Sequence, residues 1–106
     1  MGSSHAMLTR DAALDLDLIA RLRAGLDVPL VLHGSSGVGD ADLAKAVAAG
    51  MTKINISTHL NKLFTRTVSD RLRAAPDTVD PRTYLGPARD TVATEVTRLL
   101  GVLTAR

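Results

Sequence analysis

The chain has 106 residues, enough for one small domain or a piece of a larger one, because a chain this short buries only about two thirds of its unfolded surface. Hydrophobic residues make up 45% but aromatics only 2%, so the core must be built from Leu, Val, Ile and Ala, a composition that favours helices and buried parallel strands. The net charge is +2, with the basic residues scattered along helical stretches rather than clustered with aromatics, which argues against nucleic acid as a partner.

There is no cysteine, so any metal must take His or carboxylate ligands. No apolar run approaches the roughly 20 residues needed to span a bilayer, and the N-terminus lacks the basic and apolar regions of a signal peptide. The expectation is a soluble protein of the cytoplasm with no membrane partner.

In chain order, a short polar stretch leads to a helix predicted over residues 16–23, with Leu18, Ile19 and Leu22 on one face and Asp15 as its cap. Beyond Pro29, Leu30-Val31-Leu32 is a continuous apolar run that suits a strand buried on both faces. It empties into His33-Gly34-Ser35-Ser36-Gly37. Asp40 or Asp42 can cap the next helix, whose Leu43, Ala44, Val47 and Ala48 form a stripe that ends at Gly50.

A second strand is predicted over 53–56, running into Asn55-Ile56-Ser57-Thr58 and then a longer amphipathic helix marked by Leu60, Leu63, Phe64, Val68 and Leu72. Residues 75–81, with two prolines and two aspartates, read as a loop, and a final helix is expected beyond Pro87. The alternation of helices and strands is the unit of a parallel α/β protein. Two strands cannot form a stable parallel sheet alone, so further strands are expected outside this segment or from another chain.

The glycines of His33-Gly34-Ser35-Ser36-Gly37 let backbone N–H groups approach a ligand closely, and the serines add hydroxyl donors. Such a loop suits an anion, and His33 at the end of a strand suits a metal. The same residues also fit a plain capping turn with a packed histidine. Ser57 and Thr58 again follow a strand and open a helix, where they could hold a phosphate or simply cap. Paired loops of this kind form a shared phosphate site in (β/α)8 barrels.

These motifs resemble the class II fructose- and tagatose-bisphosphate aldolases. Val28-Pro29-Leu30-Val31-Leu32-His33-Gly34-Ser35-Ser36-Gly37-Val38 is similar to the family's strand-seven motif, and Gly50-Met51-Thr52-Lys53-Ile54-Asn55-Ile56-Ser57-Thr58 to its strand-eight motif. Asp80-Pro81-Arg82-Thr83-Tyr84-Leu85 resembles the segment leading into its terminal helices. Met1-Gly2-Ser3-Ser4-His5 could open a polyhistidine tag, but such a tag carries more histidines. Gly2-Ser3-Ser4-His5-Ala6 instead resembles the family's strand-six end, with Ala6 where the family usually has glycine.

The resemblance implies that residues 1–106 are the C-terminal segment of a (β/α)8 TIM barrel, comprising strands 7 and 8 with their helices plus terminal helices. It implies reversible aldol cleavage of fructose- or tagatose-1,6-bisphosphate to dihydroxyacetone phosphate and glyceraldehyde 3-phosphate. His5 and His33 would be two of three histidine ligands to Zn2+. Gly34, Ser35, Ser36, Ile56, Ser57 and Thr58 would line the phosphate site, with Asn55 reaching a substrate oxygen. The family's acid/base aspartate and its neighbouring first zinc histidine have no counterpart here, and the family's motif does not use His59 as a ligand, so His59 reads as a surface or capping residue. The partner would be a phosphorylated ketose, with a homo-oligomer or an N-terminal part completing the barrel. Two alternatives remain: a non-catalytic phosphosugar-binding module, and an oligomerising fragment whose copies cover one another's strands.

Overall fold

The structure, a computed structural model, describes residues 13–104. The elements are helix α1 (Leu16–Gly25), strand β1 (Leu30–Leu32), a 3-10 turn (Ser35–Gly37), helix α2 (Asp40–Ala49), strand β2 (Met51–Ile54), helix α3 (Thr58–Ala74) and helix α4 (Arg82–Thr104). Helix α1 starts where its cap predicts, the Asp15 carboxylate accepting the Leu18 N–H at 2.9 Å. Helix α2 is entered differently. Gly39 holds the cap position and no side chain caps it, while Asp40 is the first helical residue and pairs with Arg98 of α4.

Strands β1 and β2 pair in parallel across the α2 connection, with Leu30 opposite Met51, Val31 opposite Lys53 and Leu32 opposite Ile54. The register slips by one residue between Leu30 and Val31. Strand β2 both starts and ends two residues before the predicted 53–56. The ladder closes where β1 runs out, at the Asn55 N–H donating to the Leu32 carbonyl at 3.0 Å, and Ile56 is released into the loop. Expected burial on both faces is not met, since Leu30 and Val31 are half-buried and Thr52 and Lys53 are exposed. A two-stranded sheet has open edges and too few neighbours to cover them.

Helix α4 starts at Arg82 rather than beyond Pro87. Asp80 opens it: its carboxylate accepts the Arg82 N–H at 3.0 Å, and its carbonyl accepts the Thr83 hydroxyl at 2.8 Å. Pro81 stands just before the first helical residue, where a missing N–H costs nothing. Pro87 lies inside the helix, where it cannot donate to the carbonyl four residues earlier.

The core joins Ile19 of α1, Leu32 of β1, Val38 after the 3-10 turn, Leu43 and Ala46 of α2, Met51 of β2 and Leu99 of α4, with no aromatic ring in it. Helix α3 buries no residue fully and lies along α4, where the Thr67 hydroxyl donates to that of Thr91 at 3.1 Å. The radius of gyration is 16.8 Å, against about 13 Å for a compact domain of 100 residues. The segment is drawn out, with its two loops together at the carboxyl end of the sheet.

Candidate functional site

The Leu32 carbonyl is where the site begins. It accepts both the Asn55 N–H, at 3.0 Å, and the Ser35 hydroxyl, at 3.1 Å, so one oxygen ties together the ends of both strands and the start of the first loop. Gly34 then reverses the chain at φ 66° and ψ 33°, a left-handed conformation that other residues adopt only with strain. The 3-10 turn that follows is buried at Ser35, Ser36 and Gly37.

A second bond joins the loops directly. The Ser57 N–H donates to Ser36 Oγ at 3.1 Å, which leaves the Ser36 hydroxyl its own proton to donate elsewhere. The Ser35 hydroxyl proton is already committed to Leu32, so what Ser35 offers a ligand is main chain.

Between the loops lies a cleft of about 590 Å³. It is lined by His33, Gly34, Ser35 and Ser36 of the first loop and by Ile54, Asn55, Ile56, Ser57 and Thr58 from the end of β2 and the second loop. His33, Gly34, Ser35, Ser36, Asn55, Ile56, Ser57 and Thr58 thus reach one cleft, Gly37 of the first loop does not line it, and His5 lies outside the described residues. Among the described residues no Asp or Glu lines it. Ser57 holds the cap position of α3, yet its side chain makes no capping bond. The Ser57 side chain therefore does not close off the start of α3, and the positive end of the helix dipole, at a cleft lined by Ser57 and Thr58, favours an anion.

His33 is exposed and does not pack into the core. Its Nδ1 lies 3.3 Å from the Asn55 side-chain nitrogen, which donates to it when Nδ1 carries no proton, so Asn55 helps orient the ring. Among the described residues no three His, Cys, Asp or Glu side chains gather into a metal site. His33 offers one imidazole, and a single donor does not make a metal site.

His59 departs from its expected place. Its side chain is 15% exposed, and Nε2 lies 2.7 Å from Glu95 Oε1 on α4. Arg98 clasps the same carboxylate, its Nε donating to Oε2 at 2.9 Å and Nη2 to Oε1 at 2.7 Å, and reaches on to Asp40 at the start of α2. The guanidinium holds the Glu95 carboxyl down to about 2, against the opposing effect of burial and with a smaller contribution from His59. Arg98 is pushed upward in turn by Glu95 and then Asp40. Nothing local in the sequence signals this, because Glu95 lies 36 positions from His59.

The sequence pattern of the family described as fructose-bisphosphate aldolase class-II matches residues 1–106. The chain belongs to that family. Its fold agrees with a solved member of the aldolase group: the crystal structure of the YdjI aldolase from Escherichia coli K12 superposes with a TM-score of 0.76 at 28% identity, over 93% of this chain. The chain spans 37% of the length of that aldolase. Among the described residues no helix is long and apolar enough to cross a membrane.

Proposed function

We propose that residues 1–106 form the C-terminal part of a (β/α)8 aldolase barrel, contributing strands seven and eight, and that the cleft holds the phosphate of dihydroxyacetone phosphate. The substrate would be fructose- or tagatose-1,6-bisphosphate, cleaved in the cytoplasm. The observation that carries this reading is the convergence of two successive βα loops on one cleft rich in N–H and hydroxyl donors and free of carboxylates among the described residues. Phosphate sites of barrels are built at this place.

The chain's own residues divide the work. Gly34 lets the backbone approach the anion, and Ser36 donates the hydroxyl proton that its bond from Ser57 leaves available. The Ser57 N–H is committed to Ser36, so Ser57 adds its hydroxyl, and Thr58 lines the cleft beside it at the start of α3. Holding the phosphate away from the reacting carbons orients the ketone and supplies binding energy for the chemical step. Asn55 stands beside His33, where it can reach a substrate oxygen while it steadies the ring. His33 and His5 would be donors to Zn2+, which when bound supplies Lewis-acid polarisation of the ketone.

The cleft lacks a carboxylate to act as acid and base among the described residues, which favours a second reading for the segment on its own: phosphosugar binding without turnover. Both readings are tested on the full chain by calorimetry with dihydroxyacetone phosphate, and by assaying cleavage of both ketose bisphosphates with added zinc. The ligand should bind, Ser36→Ala should weaken it about tenfold, and cleavage should stay at background. Zinc-dependent turnover lost in His33→Ala would overturn the partial-barrel reading. No binding at all would overturn the phosphate reading.

A further inference from the structure

The two loops of the cleft open two helices, α2 and α3, and both helices are gripped near their starts by α4. His59, the second residue of α3, is held by Glu95 at 2.7 Å. Asp40, the first residue of α2, is held by Arg98, which contacts both of its carboxylate oxygens. Glu95 and Arg98 are themselves clasped at 2.9 and 2.7 Å, one helical turn apart. The row His59, Glu95, Arg98, Asp40 thus runs from one phosphate loop to the other across the outer helix.

We infer that Glu95 and Arg98 are positioning residues for the phosphate site, setting the distance between the two loops through the first turns of α2 and α3. This rests on the phosphate reading of the cleft. The planar guanidinium engages two carboxylates through fixed N–H directions, so it transmits geometry in a way that a flexible ammonium cannot. Its strength is uneven along the row. The His59 and Glu95 side chains are 15% and 16% exposed, whereas Arg98 and Asp40 are 43% and 40% exposed. Solvent screens the second link more than the first.

The direct bond between the loops, from Ser57 N–H to Ser36 Oγ, fixes one contact point. The shared Leu32 carbonyl and the His33–Asn55 contact tie the loops at the strand ends, and the α4 row adds a tie between the starts of the two helices that follow. A cradle whose donors come from two loops binds a tetrahedral anion well only when both are held at the required spacing.

The test uses the full chain, labelled with nitrogen-15 and titrated with inorganic phosphate, with the Ser36, Ser57 and Thr58 amides as probes. Glu95→Gln and Arg98→Lys keep the side-chain bulk and should each raise the phosphate dissociation constant about three- to tenfold, with Asp40→Asn about twofold. Circular dichroism should report unchanged helix content at the titration temperature. A merely structural role would lower the melting midpoint and leave the phosphate constant where it was, and that result would overturn the inference.

If the unmodified chain takes up no phosphate, the functional reading fails, and the positioning claim is read from the free protein. Asp40→Asn should then still shift the Ser57 and Thr58 amides and the His59 ring nitrogens, through Arg98 and Glu95. Resonances that stay in place would overturn it.

Discussion

At Leu32 a single carbonyl oxygen ends β1, meets the Asn55 N–H of the second loop and accepts the Ser35 hydroxyl of the first. Both of its lone pairs are thereby used, and the two loops leave the sheet from one fixed point. At the other end of the sheet Gly50 closes α2 at φ 129°, donating to the Ala46 and Val47 carbonyls at 3.2 and 3.1 Å. A Cβ placed there would meet Cγ, Cβ and Cδ of Arg23 at 2.6, 2.8 and 2.9 Å. Strain and crowding add, so Gly50→Ala should destabilise the chain by about 1–3 kcal/mol. A lowered midpoint in urea checks this, and an unchanged midpoint would contradict it. The sequence already marks Gly34 and Gly50 as turn positions and the serines as donors, because their roles depend on their own loop. It does not show that the Ser35 proton is spent on Leu32 while the Ser36 proton is kept, since that depends on which neighbours the folded loops bring within reach.

Among the elements, α3 is joined to α4 by the His59–Glu95 and Thr67–Thr91 bonds, and Glu95 is the charged centre of that pairing. Its carboxyl has an ordinary value of 4.5 and is held at about 2 in the folded chain, first by Arg98. A lowered value means that the folded state favours the charged form. The stabilisation is therefore complete above about pH 4.5 and is lost as pH falls through about 2. Glu95→Gln should melt lower than the unmodified chain at about pH 5, and the gap should close as the pH is taken toward about 2. A gap independent of pH would show that the carboxylate's charge is not what holds the helices. Element boundaries were legible where a local signal decides them, as at Asp15 for α1 and Gly50 for α2. They were misplaced where pairing or a competing proline decides them. Strand β2 stops at Ile54 because β1 runs out, and α4 opens at Asp80-Pro81, although Pro87 is an equally good start by sequence alone.

The whole segment is long and thin, at 58 × 22 × 21 Å, with a sheet of two strands whose second strand exposes Thr52 and Lys53. Its likeness to an aldolase covers 93% of its own residues and 37% of the other chain. The aliphatic core, the alternation of helix and strand and the shortage of sheet neighbours could all be read from the sequence, because each follows from composition and hydrophobic period. The grip of α4 on the first turns of α2 and α3 could not, since Asp40 and Arg98 are 58 positions apart. A phosphate site here requires the two loops to act as one. Titrating the labelled chain with inorganic phosphate and following the amides of residues 34–37 and 57–58 tests this directly. Both sets should move together along one saturation curve with one dissociation constant; movement of one loop alone, or different constants for the two, would contradict it.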